Sequence, residues 1–267
     1  MDIKLVSIEL TQRCQKGCPW CYAAAVPEGR TFWQPDVLLS FVKDLHANGV
    51  EAVSFGGGEP LEYPWLLSFL DSLLDVPIFV SVTTSGLLLD DRVMRLLSMR
   101  VDKVHVSIHF PENVQEVVRV TKQVQALAAL GMKSGINFVV KGKHPDLEEE
   151  AVRLIKDAGI GPERVIFLPL RGADIPMDPK PVQKLGQILG AKWQSTWCLL
   201  ECKESSRFVS VDWEGKVGYC SYTSAKTQME EFTHAGLRKA LASKELVFCG
   251  TPAKVQDPAP VKVPAGL

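Results

Sequence analysis

The sequence predicts an α/β fold in which helices cover a parallel β-sheet. From residue 3 to about residue 190, short β-branched runs alternate with longer segments of helical periodicity, which is typical of β/α units. The chain has 267 residues, of which 46% are apolar and 23% are charged, close to the average for globular proteins. It is therefore long enough to bury a large core, in one domain or in one domain with a small addition.

Six β-branched runs are predicted as strands, and the segments between and after them as helices. Pro35 fits the first turn of the first helix, where a missing backbone N–H loses no hydrogen bond. Gly49, Gly131 and Gly159 follow three helices at the position of a left-handed C-terminal cap. The predicted strands cover residues 4–10, 52–55, 78–83, 103–109, 135–140 and 165–168, and the predicted helices cover residues 35–47, 64–74, 90–99, 113–130, 147–158 and 181–189.

The alternation ends near residue 190, where the character of the chain changes. Four of the seven cysteines follow, together with a predicted hairpin whose strands cover residues 208–211 and 216–219. The stretch from Thr251 onward contains four prolines and too few apolar residues to fold alone. We therefore expect three segments, which are a main domain over residues 1–189, a small α+β domain over residues 190–250 and a proline-rich tail over residues 251–267.

Charge and hydropathy argue against several classes of partner. Lys and Arg number 30 against 31 Asp and Glu, for a formal net charge of −1, and no run of five or six like charges occurs. A broad surface for nucleic acid is therefore not expected. The first ten residues do not resemble a secretory signal, and no apolar run reaches the roughly 18 residues needed to span a bilayer. These features predict a cytoplasmic protein without a membrane partner.

Three cysteines lie close together immediately after the first predicted strand. Cys14, Cys18 and Cys21 fall within one short loop, which can wrap their thiolates around a soft metal centre. Structural zinc takes four protein ligands, whereas three thiolates leave one iron of a four-iron cluster open for another ligand. The spacing alone also leaves open a zinc site with a fourth ligand from elsewhere, or a fortuitous group of thiols.

This cysteine loop resembles the defining motif of the radical S-adenosylmethionine (SAM) enzyme superfamily. The motif is Cys-x3-Cys-x2-Cys after the first barrel strand, and an aromatic residue, here Trp20, commonly precedes the last cysteine. The resemblance covers residue 3 to about residue 175 and implies a partial (β/α)6 TIM barrel. It also implies a [4Fe–4S] cluster on Cys14, Cys18 and Cys21, with SAM at the open iron and Trp20 beside the cofactor.

The segment after the second strand resembles the Gly-Gly-Glu motif of the same family. Residues 54–60 read Ser-Phe-Gly-Gly-Gly-Glu-Pro. The resemblance implies that the backbone of Gly57 and Gly58 and the carboxylate of Glu59 hold the amino group of SAM. Glycine lets the backbone approach a ligand closely, and a carboxylate suits an ammonium group.

Polar residues at the ends of the later strands match further family positions. The C-terminal ends of parallel strands meet at one edge of the fold, where such proteins place their sites. For Arg171, a partner carboxylate on SAM or on substrate and a solvent-facing position are open alternatives. The resemblance implies that SAM is contacted by Thr84, Ser85, Ser107, Asn137 and Arg171.

His109 departs from the family pattern, in which Ser107 is often followed two residues later by Asp. Two alternatives remain for His109, which are a hydrogen-bonded histidine at a strand end and a residue that takes part in substrate chemistry. Oxidation of an alcohol requires a base. The candidate bases are His109, Glu62 and Asp174.

The remaining four cysteines, Cys198, Cys202, Cys220 and Cys249, can ligate zinc or a second cluster. The spacing Cys202-x12-Gly215-x4-Cys220 resembles the opening motif of the SPASM and Twitch extensions of radical SAM enzymes. The crowded cysteine segment of a full SPASM domain is absent from the sequence, so the Twitch type with one auxiliary [4Fe–4S] cluster is favoured. Cys198 is either a fourth ligand or a free thiol, buried or acting as a hydrogen-atom donor.

The resemblance implies a radical SAM oxidoreductase or maturase. Such an enzyme receives one electron from a donor such as flavodoxin or ferredoxin, cleaves SAM to a 5′-deoxyadenosyl radical and abstracts a substrate hydrogen atom. An auxiliary cluster would take the electron back from the substrate, so that the net reaction is an oxidation. The cofactor supplies the difficult step, and the protein supplies position and exclusion of water.

The substrate class is the least determined part of this interpretation. Oxidative modification of a peptide or protein side chain is favoured by analogy, because these extensions are widespread among peptide maturases. A small-molecule alcohol is the first alternative, and the barrel begins at residue 3 without a preceding peptide-binding domain, which weakens the peptide interpretation. A zinc-stabilised binding module without enzymatic activity is the alternative from another class. An RNA-modifying member of the superfamily would require a basic groove, which the net charge does not favour.

Overall fold

The computed structural model describes residues 2–171, 178–192, 207–223 and 225–242. In these residues nine strands form one sheet in the order β6-β5-β4-β3-β2-β1-β7-β8-β9. The pairings among β1 to β7 are all parallel, whereas β8 pairs antiparallel with both β7 and β9. The strands are β1 Leu5–Glu9, β2 Ala52–Gly56, β3 Phe79–Thr84, β4 Lys103–Ile108, β5 Lys133–Val140, β6 Val165–Pro169, β7 Phe208–Val211, β8 Lys216–Gly218 and β9 Thr227–Gln228.

The helices follow the strands in alternation, which confirms the predicted α/β fold. The first six β/α units make a partial barrel, as expected. The largest differences are of two residues. Strand β5 begins at Lys133 and α5 at Pro145, each two residues before the predicted start, and α2 begins at Leu66, two residues after it. The helices are α1 Pro35–Ala47, α2 Leu66–Leu73, α3 Asp91–Ser98, α4 Val114–Ala129, α5 Pro145–Asp157, α6 Lys180–Leu189 and α7 His234–Ala242.

The alternation of side chains along each strand separates the core from the barrel interior. In β4, Val104, Val106 and Ile108 are fully buried and belong to the apolar core. The intervening residues Ser107 and His109 face the other side and line a cavity. Since successive side chains of a strand point to opposite faces, the strands carry a packed apolar face and a polar inner face.

The C-terminal strands extend the barrel sheet. Strand β7 is parallel to β1, with Ser210 paired to Ser7, and β8 and β9 complete an antiparallel ribbon. The ring centroids of Phe232 and the buried Trp33 are 4.9 Å apart. The backbone N–H of His234 donates to Asp44 Oδ2 of α1 at 2.6 Å. The predicted hairpin is confirmed, and its backbone is hydrogen-bonded to the barrel.

The boundary of the small domain stays a prediction. Its residues 193–206 and 243–250 lie outside the described residues, as does the predicted tail. None of the helices in the described ranges is long and apolar enough to cross a membrane.

Candidate active site

A cavity of about 250 Å³ opens at the C-terminal ends of the parallel strands. Polar side chains line it from β1 to β5, while the end of β6 contributes an apolar and a cationic group. The loop that follows β1 covers one side of the cavity, and residues 221–222 of the C-terminal segment reach it from the other end of the sheet. The predicted site residues that line it are Cys14, Cys18, Trp20, Cys21, Gly57, Gly58, Thr84, Ser85, Ser107, His109, Asn137 and Arg171.

The three cysteine side chains of the first loop face this cavity and are half-buried. The loop is held by an isolated parallel bridge between Arg13 and Val26, in which the N–H of Cys14 donates to the Val26 carbonyl at 3.0 Å. A turn follows, with the N–H of Cys21 donating to the Cys18 carbonyl at 3.1 Å. Backbone hydrogen bonds therefore turn all three thiols toward one space.

The electrostatics of these thiols suit a cationic metal centre. Burial raises the pKa of Cys14, and it raises the pKa of Cys18 to about 11, with the neighbouring thiols of Cys14 and Cys21 adding to the shift. Thiolates are costly in such a place unless a cation compensates them, and metal binding releases their protons. The donor set therefore fits an iron–sulfur cluster with one iron open.

A single metal ion is a different case from a cluster. Across the described ranges, no three Cys, His, Asp or Glu side chains surround one point closely enough to hold one ion. In a four-iron cluster each thiolate binds a different iron, so the three thiols need to face a shared space without meeting at one point.

Buried charges and aromatic rings fix the cysteine loop against three neighbours, which are the loop after β4, helix α4 and the residue that follows β5. Lys16 Nζ forms a 2.8 Å ion pair with Glu116 Oε2, and both side chains are less than one-tenth exposed. Trp20 contacts Phe110 at 4.9 Å, and Lys141 Nζ lies 4.1 Å from the Trp20 ring centroid. Trp20 thus lines the cavity and also anchors the loop.

Close backbone approach explains two glycines of the segment after β2. Gly58 has φ of +56°, and a Cβ there would lie 2.4 Å from the Arg13 carbonyl oxygen and 2.5 Å from that of Thr11. Gly57 has φ of +66°, and a Cβ there would overlap the side chain of Glu9. Both positions require glycine, because at Gly58 the backbone passes close to the start of the cysteine loop and at Gly57 it passes close to Glu9.

The side chain of Glu59 is hydrogen-bonded within the protein and is absent from the residues that line the cavity, and its contact with the SAM amino group stays a prediction. Glu59 is 1% exposed. Its Oε1 accepts from Thr84 Oγ1 at 2.7 Å and from the N–H of Leu61 at 3.1 Å, and its Oε2 accepts from the N–H of Ser85 at 2.8 Å and from Ser85 Oγ at 2.5 Å. Because protein groups occupy the carboxylate, it ties the ends of β2 and β3 together and leaves the glycine backbone to face a ligand.

Thr84 and Ser85 line the cavity but donate their hydroxyl hydrogens to Glu59. Their free lone pairs are what they can offer to a bound cofactor. Ser107 also lines the cavity, on the same face of β4 as His109. These three predicted contact residues therefore lie together with the cysteines.

The three candidate bases have different positions. His109 lines the cavity, and burial together with nearby Lys16 lowers its pKa to about 4, so that the imidazole is neutral. Its Nδ1 is buried and has no hydrogen-bond partner among the residues described. Glu62 is absent from the described cavity lining and accepts from the N–H of Gln15 at 2.8 Å, which argues against its predicted role as a base. Asp174 lies outside the described residues.

Asn137 and Arg171 line the far side of the cavity. Asn137 Oδ1 lies 2.9 Å from His105 Nδ1. The Arg171 guanidinium lies 5.5 Å from the centroid of the Tyr222 ring, which in turn contacts Tyr22 at 5.0 Å. Arg171 follows β6 and Tyr222 follows β8, so the two ends of the sheet meet at the cavity mouth.

Cys220 lies beside this cavity mouth. Its thiol accepts a hydrogen bond from the N–H of Tyr222 at 3.5 Å. The other three predicted ligands of a second cluster, Cys198, Cys202 and Cys249, lie outside the described residues. The ligand set of a second cluster stays a prediction.

Several residues of the site were missed by sequence reasoning. Ser7 and Ser54 line the cavity from adjacent positions of β1 and β2. Lys16, between the first two cysteines, and Tyr22, directly after the third, line it as well. His105 could have been found from the sequence, because it alternates with Ser107 and His109 along β4 and therefore shares their face.

Comparison with known proteins identifies the family. Residues 8–170 match the model of the radical SAM superfamily. The GTP 3′,8-cyclase of Aquifex aeolicus is 28% identical over 182 residues, which is 59% of this chain and 54% of the relative. The PqqA peptide cyclase of Gluconobacter oxydans is 27% identical over 165 residues, which is 57% of this chain and 46% of the relative. The chain thus spans about half the length of these curated relatives.

A solved structure extends the match over most of the fold. Streptococcus suis SuiB bound to precursor peptide SuiA aligns with 94% of this chain and 70% of its own, at a TM-score of 0.70 and 15% identity. SuiB has also been solved with SAM bound. At this identity the likeness shows the fold alone. The family match covers more than half of the chain and includes all three motif cysteines, so the chain belongs to the radical SAM superfamily, whose cofactors are a [4Fe–4S] cluster and SAM.

Proposed function

We propose that this protein is a radical SAM enzyme that oxidatively modifies a side chain of a peptide or protein. The observation that carries the proposal is the shared cavity, in which three half-buried cysteines face the polar ends of β2 to β5. Cluster ligands and cofactor-binding groups are thereby within reach of one bound SAM molecule.

The chain itself binds, orients and encloses the cofactors. Cys14, Cys18 and Cys21 would ligate the cluster, and the backbone around Gly57 and Gly58 would receive the amino group of SAM. When bound and reduced, the cluster and SAM would supply the radical chemistry that removes a hydrogen atom from the substrate. Neutral His109 has an unpartnered nitrogen in the described part of the site and can accept a proton from a substrate group.

The peptide substrate is supported by two similar proteins. The name of the PqqA peptide cyclase states a peptide substrate, and the SuiB structure contains a precursor peptide. A small-molecule substrate is the second candidate, because the relatives named GTP 3′,8-cyclase act, by their name, on a nucleotide. The net two-electron oxidation also calls for an electron acceptor, and we assign that role to a second cluster that includes Cys220. A flavodoxin or a ferredoxin would supply the first electron.

Iron content and SAM cleavage test the enzymatic part of the proposal. The chain is purified without oxygen, reconstituted with iron and sulfide, and compared with a variant in which Cys14, Cys18 and Cys21 are replaced by Ala. We expect the variant to keep roughly one four-iron cluster and to form no 5′-deoxyadenosine. A Cys220→Ala variant is the matched control, which should lose the second cluster and keep SAM cleavage. Colourless wild-type protein that contains zinc would contradict the proposal. A triple variant that contains no iron would show that the protein has no second cluster.

The substrate class is tested on the active enzyme. Two sets of compounds are added in turn to the reduced enzyme with SAM. The first consists of synthetic copies of peptides encoded by neighbouring genes, and the second of small alcohols and nucleotides. We expect a peptide to accelerate formation of 5′-deoxyadenosine and to lose two hydrogen atoms, as measured by mass spectrometry. Acceleration and product formation by a small molecule alone would favour the second candidate.

A further inference from the structure

A buried histidine beneath the cavity has no role in the chemistry described above. His105 lies in β4, one side-chain layer below Ser107, and is 9% exposed. It is paired in register with Gly135 of β5, where a Cβ would lie 2.8 Å from His105 Nε2. Glycine therefore leaves the space that the imidazole ring occupies, and the ring is held in one place beneath the cavity.

The hydrogen bond of this ring selects one orientation of a cavity side chain. Burial, together with nearby Lys103, lowers the pKa of His105 to about 4, so the imidazole is neutral and carries one N–H. Its Nδ1 lies 2.9 Å from Asn137 Oδ1. With the amide assigned in this orientation the oxygen can only accept, which requires the hydrogen on Nδ1. Because Asn137 Oδ1 accepts from His105, the NH2 group of the amide, with its two donor hydrogens, remains available to the cavity that Asn137 lines.

We propose that His105 is a positioning residue that turns the Asn137 amide so that its NH2 group donates to an acceptor atom of bound SAM. The inference deepens the proposed function and rests on the placement of Asn137 in the SAM pocket. An amide without this partner can rotate and present its carbonyl oxygen instead. That oxygen would face an acceptor of the ligand, which weakens binding.

Four single variants and one double variant of the full chain separate this role from a structural one. His105→Leu removes the donor at similar volume, whereas His105→Asn places an amide nitrogen near the position of Nδ1 and should restore the bond. Asn137→Ala removes the cavity group. Asn137→Asp keeps an acceptor for the histidine and removes the NH2 donors.

Affinity for SAM is measured by equilibrium dialysis on reconstituted protein, with iron content and melting temperature recorded for each variant. We expect His105→Leu to weaken SAM binding about tenfold, the effect of one lost hydrogen bond, and His105→Asn to stay within about twofold of wild type. In the Asn137→Ala background His105→Leu should have no further effect. Asn137→Asp should weaken binding at least as much as Asn137→Ala.

Each contrary result identifies what has failed. Unchanged SAM affinity in His105→Leu, or an equal further loss in the Asn137→Ala background, overturns the inference while the proposed function stands. Wild-type affinity in Asn137→Asp also overturns it, and this variant decides the question if His105→Leu does not fold. Wild-type protein that binds no SAM overturns the proposed function and the inference together.

Discussion

Two buried carboxylates at the ends of neighbouring strands show how differently the two sides of the cavity are built. Glu59, after β2, accepts four hydrogen bonds from Leu61, Thr84 and Ser85. Glu9, at the end of β1, is 3% exposed, and its Oε1 lies 3.5 Å from Lys226 Nζ. Its Oε2 has no hydrogen-bond partner within the described ranges.

The difference separates a hydrogen-bonded side from a charged side. We call the residues around Glu59 the glycine side, because Gly58 passes close to the start of the cysteine loop there. We call Glu9, Asp212 and Lys226 the hairpin side, because they join β1 to the C-terminal segment. Burial raises the pKa of Glu9, and the nearby Asp212 raises it further. Substitutions on the glycine side should therefore lower the free energy of unfolding by removing space or hydrogen bonds. Substitutions on the hairpin side should lower it by changing charge.

The largest effect is expected on the glycine side, from Gly58→Ala. The left-handed φ of +56° costs Ala about 1–2 kcal/mol, and the contacts with two backbone carbonyls add about 1–3 kcal/mol. We expect the free energy of unfolding to fall by about 2–5 kcal/mol, measured by urea denaturation without oxygen, together with weaker SAM binding. Gly56→Ala is the matched control for stability, because a Cβ at Gly56 meets no atom within 4 Å. Equal losses in both variants would contradict the close-approach argument.

Glu59→Ala is expected to be the next largest, with a loss of about 2–4 kcal/mol in the free energy of unfolding. The substitution leaves the buried donors of Thr84 and Ser85 without their acceptor, and such groups cost more than a lost bond. Glu62→Ala is the control on the same segment, because Glu62 accepts a single hydrogen bond from Gln15 near the surface. We expect its loss to stay below about 1 kcal/mol in the same urea titration. Similar losses in the two variants would show that the buried hydrogen bonds of Glu59 contribute no more to stability than the single hydrogen bond of Glu62.

The fold and the cysteine loop were predictable because their signals are local. The periodicity of each strand and the spacing of Cys14, Cys18 and Cys21 can each be recognised within a short segment of sequence. The structure has the strands where they are expected and brings the three cysteines to one cavity. The direction of the Glu59 side chain was not predictable, because its partners come from β3, 25 residues later in the chain. The contact of Tyr222 with Arg171 was not predictable either, since it depends on how the two ends of the sheet curve together.

Lys226→Met tests the charge of the hairpin side through its pH dependence. The folded-state pKa of Glu9 is raised above its ordinary value of 4.5, so the stability it contributes is present below that pH and is lost as the pH rises through the folded pKa. Lys226 opposes this shift, and its removal raises the pKa further. We expect the variant to lose about 1–3 kcal/mol at pH 8 and less at pH 5, measured by urea denaturation at both values.

An exposed lysine provides the control for this pH series. Lys239 forms a surface ion pair with Glu230, and both side chains are about three-quarters exposed. Lys239→Met should therefore change stability by less than about 1 kcal/mol at either pH. A loss in Lys226→Met that is the same at pH 5 and pH 8 would show that packing, and not the charge of Glu9, holds the hairpin side.

The smallest effect is expected from Tyr222→Leu, a change in the C-terminal segment next to the hairpin side, where that segment lines the cavity. The ring contacts Tyr22 and the Arg171 guanidinium, and the loss of both contacts should cost about 1 kcal/mol. Because these contacts join the two ends of the sheet, hydrogen exchange should become faster in residues 14–26 and around Arg171, as read by mass spectrometry. Tyr222→Phe keeps the ring and should change exchange less than Tyr222→Leu. Faster exchange confined to residues 219–223 would mean that the cysteine loop is held by the Lys16 and Trp20 contacts, and that Tyr222 does not support it.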